Sequence, residues 1–494
     1  MANFTRRDFL QRSALTAAGL YFSNVDRLGA QQIRLPEKTG PAKKILVLGA
    51  GLAGLVAAYE LSNAGHDVTI LEAQLRPGGR VYTLREPFSD GLHAEAGAGR
   101  IPPQHSITLQ YVRHFGLQLD PFWPTTGDDV LLWRGQRVKL SRETPVDMAK
   151  VPLRLTPEER RLGFDGMEKK FFGAVMAEMG DITSPDWPAA ALQAYDGMTL
   201  EEFLRRQGAS PDAIQYIALG FEKDSALDFI RDQMSHEVPQ MQHIRGGNDL
   251  LPRAFAAKLA DKIFYGSPVA RIEHTPQQVT AVFLRAGAHE KITADYAICA
   301  IPFSVLRHIE VAPAFSAGKE NAIRKMNYGS VTRVYLQARR RFWEKDGCNG
   351  FGLLDQPMEI WNASYDQPGT RGILMSYMYE DLAKRVGAMT PDERMRYGLE
   401  VVEKMHPGMR ENLEGGVSLN WDQEAYARGA YLELMADDFA ALMPHAGTPE
   451  GRIYFAGEHA SPWPGWMQGA LWSGLKAARE ISCGDGDCNQ RATG

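Results

Sequence analysis

A chain of 494 residues, 44% hydrophobic and 23% charged, has globular statistics and is too long for one small domain, so about two or three domains are expected. The formal charge of -5, from 55 basic and 60 acidic residues, lacks the cationic surplus that neutralises phosphates along a nucleic-acid interface, which argues against nucleic acid as a partner. Four cysteines cannot be a disulfide framework in a chain of this length, although Cys483 and Cys488 stand close enough to pair in an oxidising compartment.

At the N-terminus, Thr5-Arg6-Arg7-Asp8-Phe9-Leu10-Gln11 is a twin-arginine signature. A mildly apolar run from Ser13 to Phe22 follows, too short to span a bilayer, and Leu28-Gly29-Ala30 offers small residues for cleavage. Residues 1–30 are therefore expected to be a signal peptide read by the twin-arginine translocase, which carries folded proteins, so a cofactor is inserted before export. The mature chain is expected to be periplasmic or secreted. No later segment has the uninterrupted apolar length of a transmembrane helix, so stable membrane insertion is not expected.

Lys43-Lys44 lead into Ile45-Leu46-Val47-Leu48, which reads as a strand buried on both faces. Gly49-Ala50-Gly51-Leu52-Ala53-Gly54 follows at once, then a helical stretch from Leu55 to Ala64. In this strand, GxGxxG, helix order Gly49 permits the tight turn, Gly51 lets backbone N–H groups approach a pyrophosphate, and Gly54 lets helix and strand pack closely. A second strand, Val68 to Leu71, ends in Glu72 and Ala73, where an acid can accept hydrogen bonds from ribose hydroxyls. Together these signals point to a bound dinucleotide. The next loop, Arg76-Pro77-Gly78-Gly79-Arg80-Val81-Tyr82-Thr83, matches the RxGGRxxT pattern of two-dinucleotide-domain flavoproteins, with Arg80 the candidate for the diphosphate.

Further along, residues 126–238 read as helix-rich: Pro157 to Met179 has charged and apolar spacing, Thr199 and Glu202 form a capping box, and Ser210-Pro211 opens another helix. Strand-like runs Val331 to Gln337 and Gly372 to Met378 and a helix from Pro391 to Met405 occupy 306–446. Gly451 to Glu458 reads as a strand delivering Gly457 and Glu458 at its carboxyl end, where open α/β sheets place ligands. Gly465-Trp466-Met467-Gln468-Gly469-Ala470 and a helix from Leu471 to Ile481 complete the pattern.

With FAGE, a short loop, GWM-x-GA and a closing helix in place, the chain resembles the flavin monoamine oxidase family over nearly its whole mature length, from Lys43 to Ile481. The resemblance implies an α/β fold: a Rossmann-like FAD domain assembled from residues 43–102, 239–305 and 447–482, an α+β substrate-binding domain from 103–125 and 306–446, a helical domain over 126–238, and a flexible tail, 483–494. It implies that FAD is the cofactor, that Glu458 holds the ribityl chain, and that Val269 meets the adenine through its backbone. The Trp466 to Ala470 backbone, Met467 included, would meet the flavin. Ala430 stands where some relatives have a cysteine joined to the flavin, so FAD is expected to be non-covalent. No metal is expected.

The segment Ala94 to His105, with Gly97, Ala98, Gly99 and Arg100 at its centre, looks like that of the L-amino-acid oxidases, in which an arginine forks onto the substrate carboxylate. A planar, permanently charged fork suits a carboxylate better than a lysine does. The competing reading pairs Arg100 with a nearby acid such as Glu95. Trp421 to Tyr431 resembles the W-x4-Y-x-x-G-x-Y segment of monoamine oxidases, so Tyr431 and Trp466, with Gly465 beside it, are expected to bracket the reacting amine. Arg333, in Gly329-Ser330-Val331-Thr332-Arg333, replaces the lysine that holds a water at flavin N5 in relatives. Relatives supply a tyrosine near Glu359 to Asn362 as a second carboxylate ligand; here Trp361 and Asn362 stand there. His236 and His243 precede Gly246-Gly247 in a segment that lines the pocket in relatives, although a structural histidine is the more ordinary role for each.

The implied reaction is oxidation of a free L-amino acid to a 2-oxo acid, ammonia and hydrogen peroxide, with oxygen as acceptor. An amine or polyamine oxidase, a periplasmic dehydrogenase using another acceptor, and a catalytically silent flavin-binding protein remain open at this point, as does a homo-oligomer.

Overall fold

The computed structural model describes residues 41–234 and 240–483, so the twin-arginine segment, His236 and Cys488 lie outside the described residues. The first apolar run is the strand Lys44–Leu48, in which Ile45, Leu46, Val47 and Leu48 are at most 1% exposed. It is the middle strand of a five-stranded parallel sheet ordered Ile453–Phe455, Tyr296–Cys299, Lys44–Leu48, Asp67–Leu71, Ile263–Phe264. Ile45 and Val47 face the helices Leu52–Asn63, Leu250–Lys258 and Met467–Cys483, while Leu46 and Leu48 join the core on the other face. Cover on both faces is why this strand reads as an unbroken apolar run. Three distant stretches of chain thus build one sheet. The first and last of its helices cross closely because of Gly474, whose Cβ would lie 2.3 Å from the Ala53 carbonyl oxygen.

A second, seven-stranded sheet runs Leu413–Asn420, Val331–Ala338, Gly372–Tyr379, Met358–Asn362, Cys348–Leu354, Asp128–Trp133, Gln136–Ser141. Its central strands are buried throughout, and their faces separate by the period of two. Val334, Leu336, Leu374, Met378 and Ile360 pack against residues of the helices Glu380–Gly387 and Pro391–Met405. The opposite face is left for the cavity described below.

The helical reading of 126–238 needs correction at its start. Asp128–Trp133 and Gln136–Ser141 are a hairpin at the edge of the seven-stranded sheet, and helices begin only at Pro157. Arg134 (φ 51°) and Gly135 (φ 75°) make the turn, and positive φ at both central residues suits the twist of a two-residue hairpin. The expected caps are present. Thr199 and Glu202 form a capping box at Leu200–Arg206, and Ser210 caps Pro211–Ala218. The helix Pro157–Glu178 has a further box, Thr156 with Glu159, and is kinked at Gly163 (φ 69°).

Candidate active site

A cavity of about 680 Å³ runs from the carboxyl ends of the parallel strands to the free face of the seven-stranded sheet. Of the site residues read from sequence, all but one line it: Gly49, Gly51, Leu52, Ala53, Glu72, Ala73, Gly79, Arg80, Gly97, Ala98, Gly99, Arg100, Val269, Arg333, Tyr431, Gly457, Glu458, Gly465, Trp466, Met467 and Ala470. Gly54 does not. Its Cβ would lie 2.0 Å from the Gly49 carbonyl oxygen, so its part is to let the helix pack under the turn.

The dinucleotide half of the cavity fits a flavin nucleotide on geometry alone. Gly51 is the N-cap of Leu52–Asn63, makes no side-chain cap, and a Cβ built on it meets nothing within 4 Å. The helix N–H groups and the positive end of its dipole therefore face open space, as an anion requires. Gly49 (φ 107°) needs glycine because its turn returns the chain beneath Leu71, whose carbonyl accepts the Gly49 N–H. Glu72 is buried, accepts the Ala50 and Gln74 N–H groups at 2.6 and 2.7 Å, and is raised above the usual carboxylate range mainly by that burial.

At the far end, Glu458 accepts from Arg80 at 2.7 Å and from the Leu432 and Gly465 N–H groups at 3.2 and 2.8 Å. Burial alone would raise its carboxyl, but Arg80, His459 and the Gly465 N–H together hold it below the usual range, so it is an anion. Arg80 also donates to the Ala430 carbonyl at 3.0 Å, which joins the two expected flavin segments to the residue that replaces the cysteine. Cys299 and Cys348 are buried and line no part of this cavity.

The other half is built on the free sheet face. Arg333, Tyr377 and Glu359 stand in one row across three strands, with Val331 and Tyr379 two residues to one side of it and Trp361 two residues to the other. All six line the cavity. The Trp361 indole donates to Glu359 at 2.6 Å, which fixes its ring. Facing it is the loop that carries Arg100, and this loop is clamped carbonyl by carbonyl. Arg333 Nη1 and the Tyr335 hydroxyl donate to Glu95 O, both at 2.7 Å; the Trp421 indole donates to Ala96 O at 2.8 Å; Arg333 Nη1 also holds Gly97 O, and Asn248 holds Ala98 O, both at 2.9 Å.

Arg100 itself stands with its guanidinium carbon 5.2 Å from the Trp361 ring centre and 5.8 Å from that of Trp466. No acid pairs with it among the described residues, which excludes the competing sequence reading. Glu95 is instead taken by the Asn248 N–H at 2.7 Å and the Thr83 hydroxyl at 2.9 Å, and burial pushes its carboxyl up to about 7.

Arg333 is 6% exposed and remains a cation: burial opposes its charge, but Tyr335, Tyr377 and Glu95 outweigh that. Its guanidinium lies 4.7 Å from the Tyr377 ring, and Nε has no hydrogen-bond partner among the described residues. Tyr431 stays neutral, pushed well up by burial and then by Tyr377, Glu380 and Glu433. The Trp466 indole donates to Asp232 at 2.6 Å, so the helix Ala226–Gln233 orients one wall of the expected aromatic pair. Asp232 and Tyr377 were not read from the sequence as site residues; only strand register and helix docking bring them here. His243 lies off this cavity and faces Asp366 at 2.9 Å.

Among the described residues no helix is long and apolar enough to cross a membrane, and no His, Cys, Asp and Glu group could hold a metal.

A model of the family described as flavin containing amine oxidoreductase matches residues 52–482. The flavin-dependent L-tryptophan oxidase RebO of Lentzea aerocolonigenes is 33% identical over 483 residues, covering 90% of this chain and 99% of its own. The L-amino-acid oxidase of Demansia vestigiata is 28% identical over 460 residues, covering 90% of this chain and 88% of its own. The solved structure of cyclohexylamine oxidase from Brevibacterium oxydans IH-35A shares the fold at a TM-score of 0.76 and 22% identity, covering 90% and 99% of the two chains. With a nucleotide cleft that fits FAD and a match across almost the whole chain, this protein belongs to the flavin containing amine oxidoreductases, enzymes for which FAD is the cofactor.

Proposed function

We propose that the chain oxidises the α-amine of a free L-amino acid, giving a 2-oxo acid, ammonia and hydrogen peroxide with oxygen as acceptor. The observation that carries this reading is Arg100, a guanidinium in the cavity on a clamped loop, flanked by two indoles and with no acid partner among the described residues. An amine without a carboxylate gives such a group nothing to bind. The names of the two relatives, an L-tryptophan oxidase and an L-amino-acid oxidase, agree with it.

Bound FAD supplies a hydride acceptor for the substrate Cα. The protein's part is orientation and exclusion of water. Arg100 holds the carboxylate, and its clamped loop keeps the fork from moving when substrate binds. Tyr431 and Trp466 wall the amine with apolar ring faces, which favours its neutral form and leaves the lone pair to stabilise the developing iminium. Arg333 sets positive charge at the sheet wall, where anionic character is stabilised. The imine product hydrolyses in water.

The test is product stoichiometry. Incubation of the holoenzyme with L-amino acids under air is expected to yield 2-oxo acid, ammonia and peroxide in equal amounts. Oxo acid without peroxide, formed only with an artificial acceptor, would make the enzyme a dehydrogenase. Export by the twin-arginine route is part of the proposal, supported by Arg6-Arg7 and the run that follows; replacing both arginines by lysine should leave the protein in the cytoplasm.

A further inference from the structure

One wall of the cavity comes from the segment between the helices Pro211–Ala218 and Ala226–Gln233. Phe221 stacks on Tyr379 with ring centres 5.0 Å apart, and Leu219, Phe229 and Leu353 continue an apolar lining. Beyond it stand carboxyls. Asp224 is 8% exposed and lines the cavity, and no side-chain donor reaches it among the described residues. Glu433, 4% exposed, also lines the cavity; one oxygen accepts from Asn327, and its carboxyl is within hydrogen-bond reach of the Glu380 carboxyl, which helps to hold a proton on it. Arg231 does not offset them, because it is paired with Asp228.

Tyr379, between these groups in the lining, is within electrostatic range of both Arg100 and Glu222. One cavity that holds a cationic fork and a buried carboxyl, each without an ion-pair partner among the described residues, with apolar lining besides, suits one ligand shape: carboxylate, aliphatic stem, terminal cation.

Resting on the amino-acid reading above, we infer that Asp224, supported by Glu433, binds the side-chain cation of a basic L-amino acid such as lysine, ornithine or arginine. Burial, with Asp228, Glu380 and Glu222 nearby, pushes the Asp224 carboxyl well up, so in the free enzyme it holds its proton far more tightly than an exposed carboxyl does. A cation arriving beside it relieves the same mutual repulsion and draws the proton off. An acidic side chain would leave both carboxyls in their neutral forms and gain no ion pair from them, which favours a basic side chain over it.

The experiment compares L-lysine with L-norleucine, which keeps the stem and lacks the cation, together with L-glutamate, in wild type and Asp224→Asn. Wild type is expected to favour lysine over norleucine by at least tenfold in kcat/KM, and that ratio should fall at least tenfold in Asp224→Asn. Equal use of lysine and norleucine, an unchanged ratio, or preference for glutamate overturns the inference while leaving amino-acid oxidation standing. Should no amino acid be oxidised, the underlying reading fails, and the subsite is judged by calorimetry of 6-aminohexanoate against hexanoate on the wild-type holoenzyme. At least tenfold tighter binding of the aminated acid supports the subsite, and equal affinity overturns it. Glu433→Gln, read by the same ratio, serves if Asp224→Asn does not fold.

Discussion

Replacing Arg100 with alanine removes a fork that no acid among the described residues occupies. Its guanidinium lies 5.2 and 5.8 Å from two indole rings and meets no acid among the described residues, so truncation strands no buried partner in the free enzyme. Stability should therefore change by only roughly 0.5 kcal/mol. The loss falls on the substrate instead. A hydrogen bond to a charged group contributes about 1.5–3 kcal/mol, and a fork makes two to one carboxylate. Because the two are not additive, ~3 kcal/mol is expected in kcat/KM, or about a hundredfold at about 1.4 kcal/mol per decade. Arg100→Lys should recover part of that, since a point charge restores attraction without the fork. The assay is steady-state oxidation of an L-amino acid alongside the amine that lacks its carboxylate. Equal losses on both substrates would refute the reasoning and make Arg100 a support for the fold or the flavin.

Four other outcomes follow from the same geometry. Acid precipitation should release all the flavin, because Ala430 has no sulfur to link; colour left in the washed pellet would contradict this. Gly51→Ala should leave the apoprotein as stable as wild type but weaken FAD binding, since its methyl enters open space, whereas Gly54→Ala should destabilise the apoprotein itself, its Cβ falling 2.0 Å from Gly49 O; melting curves with and without FAD separate them. Arg333→Lys keeps the cation, and its three donors can still hold the Glu95 and Gly97 carbonyls, while its smaller head is able to transfer a proton, so stopped-flow should show flavin reduction little altered and reoxidation by oxygen faster, and a large change in the reductive half alone would sink the idea. Glu95 keeps its proton up to about 7 in the folded chain, against 4.5 for the ordinary group, so its ionisation costs stability as pH rises through that window and none below it. The melting temperature of Glu95→Gln should therefore gain on wild type between pH 5 and pH 8, and a pH-independent difference would contradict the assignment.

The flavin cleft was legible because its signals are local. Gly49 to Gly54, Glu72, Arg80 and the Gly457 to Ala470 stretch each carry their geometry within a few residues, and Gly49, Gly51, Glu72, Arg80, Gly457, Glu458, Trp466 and Ala470 all reach the cavity surface. Helix limits set by caps were equally plain, as at Thr390 and Pro391, where the helix runs Pro391–Met405 as its sequence suggests. What escaped was non-local. The hairpin Asp128–Ser141 looks no different from the helical segment after it until Cys348–Leu354 pairs with it in parallel. Tyr377 becomes a site residue only through register, which sets it between Arg333 and Glu359. Asp224 and Asp232 are two acids among 60 in sequence, and only docking of their helical segment against the sheet and Trp466 marks them out. Arg100 lay between these cases. Its motif named it, but only the structure shows Glu95 engaged elsewhere.

The central claim is that this cavity presents a free L-amino acid to the flavin, and anaerobic titration of the purified yellow holoenzyme tests it most directly. The flavin absorbance should bleach with at least one of the twenty L-amino acids, not with its D-enantiomer or its decarboxylated amine, and should return when oxygen is admitted. Bleaching by amines alone, with no response to any amino acid, would contradict the claim.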